Sequence, residues 1–281
     1  MMKGKTVMIT GANTGIGKAT AAELARQGAR VFFACRSRAK TMPVIEELKR
    51  TTGNQDLHFL ELDLADLSQV KACVSAWLAT NERLDVLINN AGLVRIRQPT
   101  AQGFEMTFGV CHVGHMLLTL LLEPALTRAA PSRVVVVASR AHERTRTPID
   151  CDAVHGTTTT FSGFPEYMRA KLANMLFMFA LARRWKDRGV HVYGLHPGVI
   201  ASEIWRAAPT PLRQIAMLFM RTPEEGARAS LHCAMSAAAG AETGQYYDED
   251  GSPRRPSALA LDEKAQETLW ARSMEWLKPW L

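Results

Sequence analysis

Cysteine is scarce in this chain. The five present (Cys35, Cys73, Cys111, Cys151 and Cys233) are scattered, odd in number and never spaced as C-x-x-C. That argues against a disulfide framework and suits a reducing compartment. Long apolar runs are missing too: the longest, Met116–Leu122 and Met175–Ala182, fall far short of the roughly 18–20 residues of a membrane span. The opening Lys3-Gly4-Lys5 leads at once into a strand pattern and does not read as a secretory leader. No basic track interleaved with aromatics marks a nucleic-acid surface. The 34 basic and 27 acidic residues give a net charge of +7, with only small clusters at Arg36–Arg38–Lys40 and Arg140–Arg144–Arg146. The expectation is a soluble, cytoplasmic protein with no nucleic-acid partner and no transmembrane span. Its mild positive charge leaves room for an anionic cofactor or a peripheral contact with an acidic lipid surface.

What the chain does have is alternation. With 47% hydrophobic and 22% charged residues in a length of 281, it can bury a sizeable core. Short β-branched runs at Thr6–Thr10, Arg30–Cys35, Leu57–Leu62, Val86–Ile88, Arg133–Ala138, Val190–Leu195 and Gly244–Tyr247 read as strands. Each is apolar almost throughout, as parallel strands covered on both faces are. Helical patterns lie between and after them at Lys18–Gln27, Ala39–Thr51, Leu67–Thr80, Phe104–Leu126, Pro165–Arg188 and Pro223–Ala237. Regular β-α alternation predicts an α/β Rossmann fold: one doubly wound, parallel, seven-stranded sheet with helices on both faces. No repeat or linker divides the chain, so residues 1–281 are expected to form a single domain. Two segments depart from the pattern. The apolar stretch at about 202–221 suits either a packed helix or a lid over a greasy pocket. The tail, about 258–281, reads as a final helix in which Trp270 and Trp276 pack.

The chemistry gathers at strand ends. The first strand runs into Thr10-Gly11-Ala12-Asn13-Thr14-Gly15-Ile16-Gly17-Lys18, a glycine-rich turn opening a helix. There the backbone can approach a pyrophosphate, whose charge then faces a helix N-terminus. The spacing is G-x-x-x-G-x-G, so the G-x-G-x-x-G fingerprint is not met literally. Three further elements add to it: Asn89-Asn90-Ala91-Gly92 closing the fourth strand, Tyr167-Met168-Arg169-Ala170-Lys171 on a long helix, and His196-Pro197-Gly198 closing the sixth. With Ser139 ending the fifth strand, residues 4–250 resemble the short-chain dehydrogenase/reductase family. Ala34-Cys35-Arg36, His112-Val113-Gly114-His115 and Lys171-Leu172-Ala173-Asn174 look most like its retinol dehydrogenase branch.

The resemblance carries roles, and residue chemistry supports several of them. Tyr167 and Lys171, four apart, share a helix face, and a lysine cation beside a phenol favours the phenolate. Tyr167 thus suits a general acid for carbonyl reduction or a base for alcohol oxidation. Ser139 would hydrogen-bond the substrate oxygen. In the family, Lys171 also holds the nicotinamide ribose. Cofactor contacts implied by the motifs are Gly11, Asn13, Thr14, Gly15, Ile16, Gly17, Asp63, Leu64, Asn90, Ala91, Gly92, Tyr167, Lys171, Pro197, Val199 and Ser202. At the end of the second strand, NAD-preferring proteins place a carboxylate on the ribose hydroxyls. Here Ala34-Cys35-Arg36-Ser37-Arg38 has none, and the Arg36 guanidinium suits a ribose phosphate, so NADP(H) is the expected cofactor.

One position departs from the family. The family's Asn-His-x-Gly-His reads Cys111-His112-Val113-Gly114-His115 here, so a thiol stands at the asparagine of the Ser-Asn-Tyr-Lys tetrad. In the family that asparagine helps hold a water for proton relay, which a thiol would do poorly. Cys111 is therefore kept as a catalytic position of doubtful role. Cys111, His112 and His115 are zinc-ligand types but lack a fourth partner, and no metal is expected. The expected function is an NADP(H)-dependent oxidoreductase acting on an apolar carbonyl or alcohol of retinoid, steroid or aldehyde type. Its rival is an NADP(H)-binding sensor or scaffold with little turnover because of Cys111. A homo-oligomer is compatible with either.

Overall fold

A computed structural model describes residues 2–199 and 221–281 of the chain. Seven strands, β1 (Thr6–Thr10), β2 (Arg30–Cys35), β3 (Leu57–Glu61), β4 (Val86–Asn89), β5 (Ser132–Val137), β6 (Val190–Leu195) and β7 (Gln245–Tyr247), pair parallel in the order β3-β2-β1-β4-β5-β6-β7. The chain leaves β1 toward β2 on one side and returns to β4 on the other. All strands end on the same edge, so a crevice opens there between β1 and β4.

The central strands are apolar along their length because both faces are covered, whereas the edge strand β3 carries the exposed His58 and Glu61. Successive residues point to opposite sides of a sheet. Thus Met8, Leu87, Val134, Val136 and Val192 enter one buried cluster, while Val7, Ile9, Val86, Ile88, Val135 and Tyr193 enter the other. The second cluster is closed by α1 (Gly15–Arg26), α2 (Arg38–Thr52) and α8 (Pro223–Met235), through residues such as Leu24, Ile45 and Cys233. The first is closed by α3 (Leu67–Ala79), the β4–β5 crossover, and α7 (Phe164–Trp185) with its apolar Leu172, Met175, Leu176 and Met178. Helix starts follow their side chains. Ser37 and Asp66 accept from backbone N–H groups at the starts of α2 and α3, and Thr222 with Glu225 forms a capping box on α8.

The β4–β5 crossover differs from the single helix expected over residues 104–126. It divides into α4 (Met106–Phe108), a π-helical segment at Gly109–Gly114, α5 (His115–Leu121) and α6 (Glu123–Arg128). The wide turn sits against the chain after β3: a Cβ at Gly114 would lie 2.5 Å from the Leu64 carbonyl oxygen. Apolar spacing detects a helix but not one wide turn within it. The tail likewise forms two helices, α9 (Ala258–Leu261) and α10 (Glu263–Leu277), because Asp262 accepts from the Lys264 and Ala265 N–H groups and restarts the helix. As expected, its tryptophans pack: Trp270 stacks on Phe177, and Trp276 meets Phe104 and Phe108 edge-on. Among the described residues, no helix is long and apolar enough to cross a membrane.

Candidate active site

At the end of β1 the turn is shaped by contact distances too short for side chains. A Cβ on Gly17 would lie 2.5 Å from the Gly11 carbonyl oxygen and 2.6 Å from Asn90 Nδ2. Only glycine lets α1 start this close to the strand ends. The first turn of α1 has no acidic residue, and Thr14 provides no side-chain cap. Its N–H groups and dipole therefore face the crevice ready for an anion. Asn90 fastens the turn, donating from Nδ2 to the Thr10 carbonyl at 2.8 Å. Asp63 and Leu64 follow β3, and the exposed Arg36 guanidinium lies 4.0 Å from the Asp63 carboxylate. The glycine cradle and the uncapped helix together fit the pyrophosphate of a dinucleotide.

The other half of the site is carried by β5 and α7. Ser139 follows β5; its Oγ accepts from the Ala141 N–H at 3.1 Å, and its own O–H has no acceptor among the described residues. Tyr167 and Lys171 stand on the first two turns of α7, with Lys171 Nζ 5.5 Å from the centre of the Tyr167 ring. Tyr167 is half-buried, whereas Lys171 is 3% exposed and donates to the Val137 carbonyl at 2.7 Å. Gly92 marks where the halves meet: a Cβ there would lie 3.7 Å from Cys111 Sγ and 3.8 Å from Lys171 Nζ. Strand ends thus bring Gly11–Gly17, Asn90–Gly92, Cys111, Ser139, Tyr167 and Lys171 to one edge. Pro197 and Val199 follow β6 along the same edge, with Val199 exposed. Ser202 and the apolar stretch up to residue 220 lie outside the described residues.

A buried polar chain, not anticipated from the sequence, joins these parts. The Asn90 and Ala91 N–H groups both donate to Thr10 Oγ1 at 2.9 Å, and Thr10 Oγ1 lies 2.8 Å from His115 Nε2. His115 Nδ1 lies 3.1 Å from the Cys111 carbonyl oxygen. A carbonyl only accepts, so the proton sits on Nδ1, and Nε2 accepts a hydrogen bond from the Thr10 hydroxyl. Burial drives the His115 pKa down to about 4, keeping the ring neutral as this pattern requires. The same carbonyl receives Asn174: with the amide turned to satisfy its hydrogen bonds, the nitrogen donates to Cys111 O at 2.7 Å and Ala170 O at 3.2 Å. Thr10 and His115 lie within runs already singled out, but no spacing shows that they touch. His112 points away, its Nε2 2.9 Å from Ser273 Oγ on α10. His112 and His115 therefore do not share a ligand position with Cys111.

A model of the short chain dehydrogenase family matches residues 5–212. Human retinol dehydrogenase 11 is 42% identical over 279 residues, spanning 98% of this chain and 86% of that protein. Among solved structures, an uncharacterised protein of Mycobacterium paratuberculosis is 34% identical, with TM-score 0.77 over 99% of this chain and 94% of that one. A gluconate 5-dehydrogenase candidate from Beutenbergia cavernae, solved with bound NADP, is 27% identical, with TM-score 0.71 over 89% and 96% of the two chains. The chain belongs to the short-chain dehydrogenase/reductase family of oxidoreductases, in its retinol dehydrogenase-like branch.

Proposed function

We propose that this protein is an NADP(H)-dependent oxidoreductase that interconverts a carbonyl and an alcohol on an apolar small molecule. The observation that carries this reading is the Lys171 ammonium 5.5 Å from the Tyr167 ring, on the sheet edge that also bears Ser139 and the glycine turn. The cofactor would lie along Gly11–Gly17, Asp63–Leu64 and Asn90–Gly92, with Arg36 on its ribose phosphate, and would supply or accept hydride. Ser139 has a hydroxyl proton to give, so it would donate to the substrate oxygen and steady the charge that develops there. Tyr167 exchanges the proton on that oxygen. Lys171 spends one donor on the Val137 carbonyl, which fixes the ammonium, and keeps the others for the ribose and for support of the phenolate. The Met, Leu, Ile and Phe content of the sequence at about 202–221 is what suggests an apolar substrate. The whole chain is read as a single nucleotide-binding unit.

The test is reduction of a panel of retinoid, steroid and fatty aldehydes or ketones with NADPH and NADH. NADPH-supported turnover of at least one apolar carbonyl is expected. NADPH binding with no reduction of any member, and no oxidation of the matching alcohols, would contradict it.

A further inference from the structure

Asn174 is buried, 3% exposed, one turn beyond Lys171 on α7, and neither the cofactor nor the substrate side of the site accounts for it. Its amide nitrogen donates across the helix interface to the Cys111 carbonyl at 2.7 Å and within α7 to Ala170 at 3.2 Å. One turn earlier on α7, Lys171 Nζ donates to the Val137 carbonyl oxygen at the end of β5 at 2.7 Å. The Asn174 amide thus ties α7 to the π-helical segment, one turn from the lysine that ties α7 to the end of β5. These are the three elements that carry Cys111, Tyr167 with Lys171, and Ser139. At position 111 the side chain itself is a thiol, a weak hydrogen-bonding group, while the main-chain carbonyl of that residue carries both His115 and Asn174.

We propose that Asn174 is the positioning residue of the proton-exchange site, its amide holding the Cys111 segment in register with the turn of α7 that carries Lys171, a tie the Cys111 thiol does not make. The inference rests on the oxidoreductase reading above. A π-helical turn leaves carbonyls without their usual α-helical partners, and such turns are stable where other groups satisfy them. His115 supplies one donor and Asn174 the other. Removing the amide takes from the Cys111 carbonyl its link to α7. The junction is buried, so water does not replace the amide at no cost. Lys171 keeps its Val137 contact, but the turn of α7 that carries it loses its tie to the Cys111 segment, and the alignment of Tyr167 loosens.

The experiment uses the full chain, the apolar carbonyl reduced best and NADPH. Asn174→Leu, close in volume, is expected to lower kcat roughly tenfold or more, as loss of acid–base assistance does, while KM for the carbonyl changes little. The solvent deuterium isotope effect on kcat is expected to rise, since proton exchange becomes limiting. Cys111→Asn combined with Asn174→Leu should recover most of the lost kcat, because an amide returns to the same junction. If Asn174→Leu does not fold, Asn174→Ser carries the same three readouts. A folded variant with unchanged kcat and isotope effect would overturn the proposal. So would a fall in kcat with no change in isotope effect and no recovery in the double variant. If the unmodified protein reduces no carbonyl, it is the oxidoreductase reading that fails.

Discussion

The two halves of the crevice are built on opposite principles. Around β1 and α1, backbone does the work: the turn is tight because Gly17 has no side chain to strike Gly11 or Asn90, and the helix end is left uncapped. Around α7 and the π-helical segment, buried side chains do it. Thr10, His115, Lys171 and Asn174 are each satisfied by a named partner inside the protein. A surface for phosphate needs shape and a field of N–H groups, both of which glycine and a helix start provide. A site that moves a proton needs donors and acceptors held at fixed distances, which only a closed hydrogen-bond network provides. The first half should therefore fail through added bulk, and the second through lost polarity.

The largest effect on the backbone-built half is expected from Gly17→Val. Bulk forced into a packed site costs about 1–3 kcal/mol, and here it lands where the cofactor's anion would approach, so NADPH affinity should fall roughly a hundredfold. Fluorescence titration reads it. Arg36→Asp comes next. Losing a charge-assisted contact is worth about 1.5–3 kcal/mol, so the preference for NADPH over NADH should shrink by about ten- to a hundredfold, and equal binding by the unmodified protein would contradict the assignment. In the polar half, Cys111→Asn should raise kcat several-fold, with general acid–base assistance of about 10²–10⁴-fold as the ceiling. Turnover and melting temperature measured together separate a repaired relay from an overpacked pocket.

The smallest effect concerns the tail that backs the polar half. Hydrogen bonds from Arg184 and then Arg183, set against burial, bring the Glu267 pKa down to about 2. A carboxylate depressed on folding stabilises fully above its unfolded pKa, and that contribution is lost as pH falls from about 4.5 toward 2. Glu267 is half exposed, so solvent screening keeps the gain small. Glu267→Gln should lower the melting temperature slightly at neutral pH and leave it unchanged near pH 2.

Much of this was legible in the sequence. The strands were legible as short, largely apolar runs, because the central parallel strands, buried on both faces, carry no alternation to misread. The glycine turn, Ser139, Tyr167 and Lys171 were legible because residue type and place on an element suffice to mark them. The π-helical segment was not, since its apolar residues keep a helical spacing. Nor was the polar chain: Thr10 and His115 touch across 105 residues of sequence, a proximity that only the β1–β4 neighbourhood creates. Asn174 stood inside a motif already noticed, Lys171-Leu172-Ala173-Asn174, but its partner is a carbonyl, which no side-chain pattern records.

The most direct test of the central claim is single-turnover hydride transfer from bound NADPH to an apolar aldehyde in Tyr167→Phe. The substitution removes only the phenolic oxygen and leaves a ring that packs. NADPH affinity is expected within about twofold of the unmodified protein, while the transfer rate falls by about 10²–10⁴-fold. A Tyr167→Phe variant that binds NADPH normally and transfers hydride at an undiminished rate would contradict the account.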